Sequence, residues 1–338
     1  MNPNRRLGRW LAIWAGMLFL LILIGGTTRL TESGLSITEW NVVSGIVPPL
    51  STAAWNAEFD RYRQIPQYQA IHAGMTLPQF KGIFLWEYVH RLWARLVTVA
   101  FAIPLIWFLA RGEVPREMRG KLWLLLLLLG LQGALGWFMV SSGLSGRIEV
   151  SQYRLAAHFA AALLIYGATV WIAAGFLSRP RPATDEQPQV RLVAIGVTSL
   201  AILTAIAGSF VAGTRAGHAY NTFPLMAGHL VPPGYGALVP WWRNLFENIA
   251  AVQFDHRILA YLTLISILTF WWWSRKRGLS ASARRAVNLL AALAVVQVAL
   301  GITTLLLAVP VVLGVAHQAG AILVVTAGLL ATHAVRRV

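Results

Sequence analysis

The sequence contains no cysteine and carries little charge. Only 12% of its 338 residues are charged, about half the share of roughly 25% found in soluble domains. The absence of cysteine excludes disulfides, thiolate zinc sites, iron–sulfur clusters and cysteine nucleophiles, so any metal must be held by histidine, carboxylate or a cofactor. Hydrophobic residues make up 57% of the chain and the mean hydropathy is +0.62. The chain is therefore predicted to be an integral membrane protein.

Eight stretches are long and apolar enough for transmembrane helices, which need about 20 residues each. They lie at about 10–29, 84–110, 122–142, 153–177, 191–213, 249–274, 286–308 and 311–334. The boundary between the last two, around Pro310, is the least distinct. We expect an all-α membrane protein that retains its first stretch, because no small-residue cleavage site follows that stretch.

The 28 Lys and Arg residues outnumber the 12 Asp and Glu residues, and their positions indicate an orientation. Basic residues cluster before the first span, in the loops near 111–121, 179–191 and 275–285, and at the C-terminal end. The long loops at about 30–83 and 214–248, on the opposite side, hold fewer. Because cytoplasmic loops are enriched in Lys and Arg, both termini are predicted to face the cytoplasm, and the positive charge reflects topology rather than nucleic-acid binding. The two long loops are expected to cover a functional site.

The second half of the chain repeats the first. The aligned segments are Glu-Tyr-Val-His-Arg-Leu-Trp-Ala (87–94) with Gln-Phe-Asp-His-Arg-Ile-Leu-Ala (253–260), Gln-Gly-Ala-Leu-Gly (132–136) with Gln-Val-Ala-Leu-Gly (297–301), and Leu-Ala-Ala-His-Phe-Ala-Ala-Ala (155–162) with Gly-Val-Ala-His-Gln-Ala-Gly-Ala (314–321). Four spans per half, both halves starting on the same side, indicate a parallel repeat. This predicts two pseudo-symmetric four-helix bundles, residues 1–178 and 191–338, joined by a cytoplasmic linker at 179–190.

Four of the eight histidines fall within predicted spans, one pair in each half. His90 and His256 lie on the second helix of their halves, and His158 and His317 lie on the fourth. Two histidines at matching depth can face each other across a bundle core, as haem iron with two imidazole ligands requires. The alternative is an interhelical hydrogen bond at each histidine; repetition in both halves favours ligation, because ionisable residues inside membranes are costly and usually functional. A closed zinc site fits poorly, since it needs four ligands. No role is assigned to the remaining histidines, His72, His218, His229 and His333.

Glu87 is the residue that breaks the symmetry of the two halves. It stands three positions before His90, on the same helix face, whereas its counterpart Gln253 is uncharged. A carboxylate in one bundle alone is a candidate catalytic group, and the alternative is an ion pair with Arg91. Arg91 and Arg257 each follow a candidate ligand histidine, so they could contact haem propionates or simply pair with nearby acids.

Three segments resemble the haem A synthase family, and the similarity extends over essentially the whole chain. They are Gly-Gly-Thr-Thr-Arg-Leu-Thr-Glu-Ser-Gly-Leu-Ser (25–36), Glu-Tyr-Val-His-Arg (87–91) and Ala-Gly-Thr-Arg-Ala-Gly-His-Ala-Tyr-Asn-Thr-Phe-Pro (212–224). The resemblance implies an oxidoreductase that converts haem O to haem A for cytochrome oxidases. Such an enzyme oxidises the C8 methyl group of haem O to a formyl group by two successive hydroxylations, through a hydroxymethyl intermediate.

The resemblance also implies roles for individual residues. By this resemblance, His256 and His317 would be the axial iron ligands of a haem b cofactor. His90 and His158 would bind the substrate haem O. Glu87 matches the position of the family's essential carboxylate. By this resemblance it would act in proton transfer or stabilise a cationic species. Some members carry a cysteine pair in the first outer loop; this chain resembles the cysteine-free branch of proteobacteria and mitochondria. The bacterial inner membrane is expected, because the segment before the first span is too short for a transit peptide.

The implied ligands are haem O and haem A, and the chain is expected to lie in the lipid bilayer. The implied protein partners are the haem O synthase (protohaem farnesyltransferase) that would supply the substrate and an electron-transfer partner. Further copies of the chain would be partners in a homo-oligomer. One alternative is a dihaem b-type electron-transfer cytochrome, which would also need two bis-histidine sites. Another is a transporter with histidine proton relays. Glu87 without a charged counterpart favours the enzyme over the cytochrome, and the lack of paired helix breaks disfavours the transporter.

Overall fold

The chain folds into α-helices joined by loops, as the sequence predicts. The computed structural model describes residues 3–144, 146–178 and 188–335, and none of these residues forms a strand. The helices are α1 (Pro3–Leu30), α2 (Thr52–Arg63), α3 (Pro66–Ala70), α4 (Leu77–Ala110), α5 (Arg116–Leu144), α6 (Gln152–Leu177), α7 (Pro188–Gly213), α8 (Asn244–Glu247), α9 (Ile249–Ser274), α10 (Ala281–Leu306) and α11 (Val311–Ala334). In the described part of the chain, eight of them are long and apolar enough to cross a membrane: α1, α4, α5, α6, α7, α9, α10 and α11.

Helix α4 begins earlier than the hydrophobic pattern indicates. The predicted span starts at 84, but the helix starts at Leu77 because Thr76 forms a capping box with Gln79. Pro78 lies in the first turn, where its missing N–H has no helical partner to lose. The cap marks the start of the helix, which hydropathy alone does not detect.

The break between α10 and α11 also differs slightly from the prediction. Helix α10 ends at Leu306 rather than 308, and the next residues turn back through two left-handed positions, Ala308 and Val309, with φ of 57° and 59°. A β-branched residue is disfavoured in this conformation, so the turn at Val309 is strained. The side chain of Asn221 donates to the carbonyl of Leu305 at 2.8 Å, and this carbonyl near the helix end also accepts from the Ala308 amide at 3.0 Å.

The chain divides into two compact units. One consists of Leu163 onward together with the residues up to Phe19, and the other is Leu20–Ala162. In the first unit, α7 contacts α9 and α11, and α10 contacts the same two helices, as expected of a four-helix bundle.

The predicted domain bounds, 1–178 and 191–338, and the pseudo-symmetry of two bundles remain predictions. Most of the predicted linker at 179–190 lies outside the described residues. Its last three positions, 188–190, already belong to α7.

The first long outer loop, in the unit Leu20–Ala162, has a hydrophobic core of its own. Short helices α2 and α3 contact α4 and α5. Phe59 stacks on Phe80, and Tyr62 packs beside them, all three with almost no exposed surface. Ser51 caps α2 by accepting a hydrogen bond from the Ala54 amide. The loop is thus a folded cover held to the start of α4.

Candidate functional site

The structure places two of the four span histidines in each compact unit, and their role as ligands remains a prediction. His90 on α4 lies within electrostatic range of His158 on α6, and His256 on α9 lies within range of His317 on α11. All four side chains are only partly buried by the protein around them. Each half of the chain therefore presents two imidazoles, from two different helices, to one region of its own unit.

Each of these histidines faces a glycine on a neighbouring helix. A Cβ atom would lie 3.2 Å from the His90 ring at Gly25, 3.1 Å from His158 at Gly136, 3.0 Å from His256 at Gly208 and 2.6 Å from His317 at Gly301. These distances are shorter than ordinary van der Waals contact. The rings thus occupy space that any side chain at the glycine would fill, and sequence reasoning missed all four contacts. The repeat was the available signal, because Gly136 and Gly301 end the aligned Gln-x-Ala-Leu-Gly segments.

The donor set suits a haem better than a bare metal ion. In the described part of the chain, no three His, Asp or Glu side chains come together to hold a metal. The Nδ1 atoms of His158 and His256 are buried and have no hydrogen-bond partner. Haem iron brings four ring nitrogens of its own, so two imidazoles complete its coordination. The paired rings and their glycine contacts fit such a group in both halves.

Glu87 is buried in the unit Leu20–Ala162, with 3% of its surface exposed, and its carboxylate is fully hydrogen-bonded. One oxygen pairs with the Arg91 guanidinium at 2.6 Å, so the ion pair weighed as an alternative is present. The other oxygen accepts from the Ser36 hydroxyl at 2.8 Å and from the Ile37 amide at 2.7 Å. Glu87 thus anchors the loop that follows α1, and its catalytic role remains a prediction.

Gln253 makes the corresponding contacts in the second half. Its amide donates to the Ala216 carbonyl, in the loop that follows α7, and its oxygen accepts from Arg257 at 2.9 Å. In both halves the side chain accepts a hydrogen bond from an arginine four residues later and also binds the preceding loop, where Glu87 accepts hydrogen bonds and Gln253 donates one. They differ in the charge of the acceptor.

Arg91 and Arg257 bind the backbone of the outer loops. The Arg91 guanidinium donates to the carbonyls of Ile37 and Glu39, each at 2.8 Å. The Arg257 guanidinium donates to the carbonyls of Tyr220 and Thr222, each at 2.9 Å. Contact between either arginine and a haem propionate remains a prediction.

A polar cluster in the first outer loop was not foreseen. The Tyr62 hydroxyl lies 2.6 Å from Nδ1 of His72, and Nε2 of His72 lies 3.2 Å from the Glu32 carboxylate. Burial, reinforced by the negative charges of Glu32 and Glu87, raises the pKa of Tyr62 well above its usual value. Tyr62 is consequently a neutral hydrogen-bonding group, and the cluster ties α2 to the end of α1.

Tyr235 forms a link between the second outer loop and α9. Its hydroxyl donates to the Asp255 carboxylate at 2.8 Å. Burial raises the pKa of Tyr235, and the hydrogen bond to Asp255 and its negative charge act in the same direction. Asp255 precedes His256, so this contact fixes the loop beside a candidate ligand.

Two glutamines approach the histidines of the fourth helices. The Gln132 amide donates to the His158 carbonyl at 2.8 Å, and the Gln297 amide donates to the His317 carbonyl at 2.9 Å. Both glutamines begin the aligned Gln-x-Ala-Leu-Gly segments. That segment therefore brings two groups to the same histidine: a donor for its backbone and a glycine for its ring.

Comparison with known proteins yields a family and a set of close relatives. The family model for COX15-CtaA, a cytochrome oxidase assembly protein, matches residues 8–329. A haem A synthase of Rhodospirillum centenum is 51% identical over 324 residues, covering 95% of this chain and 85% of the relative. The haem A synthase of Nitrosospira multiformis is 47% identical over 330 residues, covering 97% and 93%. That of Nitrosomonas eutropha is 46% identical over 323 residues, covering 95% and 91%.

Proposed function

The chain belongs to the cytochrome oxidase assembly protein family, and we propose that it is a haem A synthase that oxidises the C8 methyl group of haem O to a formyl group. Relatives bearing that name match it over nearly its full length, which supports a role in making haem A for cytochrome oxidase. Its eight apolar helices and its bacterial relatives support a multi-pass protein of the bacterial membrane.

The observation that carries this proposal is the repeated pair of histidines, each ring facing a glycine. Two such pairs can hold two haems, one as cofactor and one as substrate. We assign the resident haem b to His256 and His317, and haem O to His90 and His158. When bound, the resident haem supplies a redox-active iron centre. The four histidines hold and orient the two porphyrins.

Glu87 is the group that we assign to the reaction itself. It lies on the helix that carries His90, one turn away, in the half assigned to haem O. Arg91, Ser36 and Ile37 fix the position of its carboxylate. A preorganised negative charge in an apolar bundle stabilises positive charge that develops as electrons leave the methyl carbon, and it can accept the proton released there. Gln253 cannot do either, which supports the assignment of different roles to the two halves.

The remaining elements of the proposal concern orientation and partners. We propose that the basic loops between α4 and α5 and between α9 and α10 face the cytoplasm, as the positive-inside rule predicts. The two long loops, which are expected to cover the site, then lie on the outer side. Haem O synthase would deliver the substrate, and a separate electron-transfer partner would exchange electrons with the chain. Assembly into a homo-oligomer is also proposed.

The two-site assignment can be tested by removing one histidine at a time. His256→Ala should deplete haem b from the purified protein, because it removes one of the two histidines that would hold this haem. His90→Ala should retain haem b and lose haem O binding. The control is His229→Ala, which alters an exposed side chain in the second outer loop. Haem content by extraction and absorption spectrum reports the outcome. Unchanged haem b in His256→Ala would contradict the assignment.

A further inference from the structure

Gln132 and Gln297 each contact the histidine of the fourth helix in their half, but they contact different atoms of it. Gln132 reaches only the backbone carbonyl of His158, at 2.8 Å. Gln297 reaches the carbonyl of His317 and also lies 3.0 Å from Nδ1 of the ring. The corresponding ring nitrogen of His158 is buried without a hydrogen-bond partner. The ring of His317 is therefore tethered and the ring of His158 is not.

One small residue accounts for this difference. In the aligned segments, Gly320 follows His317 by three positions, and Ala161 follows His158 by three positions. A Cβ atom on Gly320 would overlap the side-chain oxygen of Gln297 and lie 3.2 Å from its Cδ. The missing side chain at Gly320 is what lets Gln297 lie beside the ring. In the first half, the methyl group of Ala161 stands at the equivalent place.

A tethered ring nitrogen matters when the other nitrogen binds iron. A metal-bound histidine normally donates its remaining N–H to an acceptor, which fixes the ring plane and raises the basicity of the ligand. Gln297 carries such an acceptor, because its Oε1 is buried with no hydrogen-bond partner. Nε2 of Gln297 now contacts both Nδ1 and the carbonyl of His317, so a rotation of the terminal amide would bring Oε1 to Nδ1 in exchange for the hydrogen bond to that carbonyl. Nδ1 of His158 has no hydrogen-bond partner, although Oε1 of Gln132 is likewise buried without one.

We propose that Gln297 and Gly320 lock the His317 ring and so make the haem of the second half resident, whereas Ala161 keeps Gln132 from locking His158 and so leaves the haem of the first half exchangeable. The proposal rests on the proposed function, in which haem O must enter and haem A must leave. It assigns the difference between cofactor and substrate sites to positioning residues outside the iron ligands.

The test measures how fast each site loses haem to an excess of apomyoglobin. Loss from the second half is followed in the background His158→Ala, which disables the first site. Gln297→Leu removes the tether and should speed haem loss by about 10- to 100-fold. Gly320→Ala should do the same while keeping the glutamine. Gln132→Leu, in the same background, is the matched control and should leave this rate within about twofold.

Two further readouts separate a ring tether from general packing. The reduction potential of the resident haem should rise in Gln297→Leu and Gly320→Ala, because the ligand becomes less basic, and should fall in Gln297→Glu, which offers an anionic acceptor. Conversely, in the background His256→Ala, Ala161→Gly should slow haem loss from the first half. A thermal melt of each variant identifies any that fails to fold.

The outcomes distinguish this proposal from the one on which it rests. Unchanged haem loss and potential in a folded Gly320→Ala variant would overturn the tether, even if the unmodified chain makes haem A. An unmodified chain that makes no haem A from supplied haem O would overturn the proposed function. The difference in haem loss between Gly320→Ala and Gln132→Leu would then still decide whether the tether exists.

Discussion

Glu87 and Gln253 occupy equivalent positions and each binds the arginine four residues later, but only Glu87 carries charge. Glu87→Gln should therefore preserve the Arg91 contact, as Gln253 preserves the contact with Arg257. The resident haem should remain bound, while haem A formation should fall by about 100- to 10,000-fold, the range for loss of a proton-transfer group. Haem analysis of cells supplied with haem O gives the measurement.

Ser36→Ala is the control for this variant. It removes one hydrogen bond to the Glu87 carboxylate without removing the charge. We expect a much smaller loss of activity from it. Normal haem A formation by Glu87→Gln would show that the carboxylate is only a loop anchor.

The glycine contacts of the histidines give a second prediction. Gly208→Ala would place a Cβ atom 3.0 Å from the His256 ring, and overpacking of this kind costs about 1–3 kcal/mol. Because the ring must move, haem b content should fall and the haem spectrum should shift. Gly196→Ala lies on the same helix with no atom near the added methyl, and it should leave both unchanged. Equal haem spectra in the two variants would contradict the close-contact account.

The outer loops depend on the helices that carry the histidines. Arg257 donates to two carbonyls of the second outer loop, and hydrogen bonds to charged groups contribute about 1.5–3 kcal/mol each. Arg257→Met should therefore increase the amide hydrogen exchange of residues 219–226 by about tenfold or more. The exposed Arg284→Met on α10 is the control and should not affect this loop. Unaltered exchange in Arg257→Met would show that other contacts hold the loop.

Sequence patterns predicted the helices and singled out the four span histidines, because both depend on signals that survive in the chain itself. Hydrophobic length marks the spans, and the internal repeat singles out His90, His158, His256 and His317. The early start of α4 was missed because its signal is a capping pair, Thr76 and Gln79, rather than hydrophobic length. The glycine contacts and the folded core of the first outer loop were missed because they join residues far apart in sequence. Their detection needs packing, which composition does not encode.

The orientation of the whole chain can be tested because the sequence has no cysteine. A single cysteine at Gly236→Cys, in the second outer loop, should react with a membrane-impermeant thiol reagent in intact spheroplasts. Gly278→Cys, between α9 and α10, should react only after the membrane is opened. The positive-inside rule is the physical basis of this expectation. The reverse labelling pattern would invert the proposed topology.

The central claim is that one chain holds a cofactor haem and a substrate haem. The most direct measurement is chromatography of haems extracted from the purified protein, expressed with a supply of haem O. We expect haem b together with haem O, its hydroxylated form or haem A. Two molecules of haem b per chain and no other haem would contradict the claim and indicate a dihaem electron-transfer cytochrome, and the absence of all haem would contradict both.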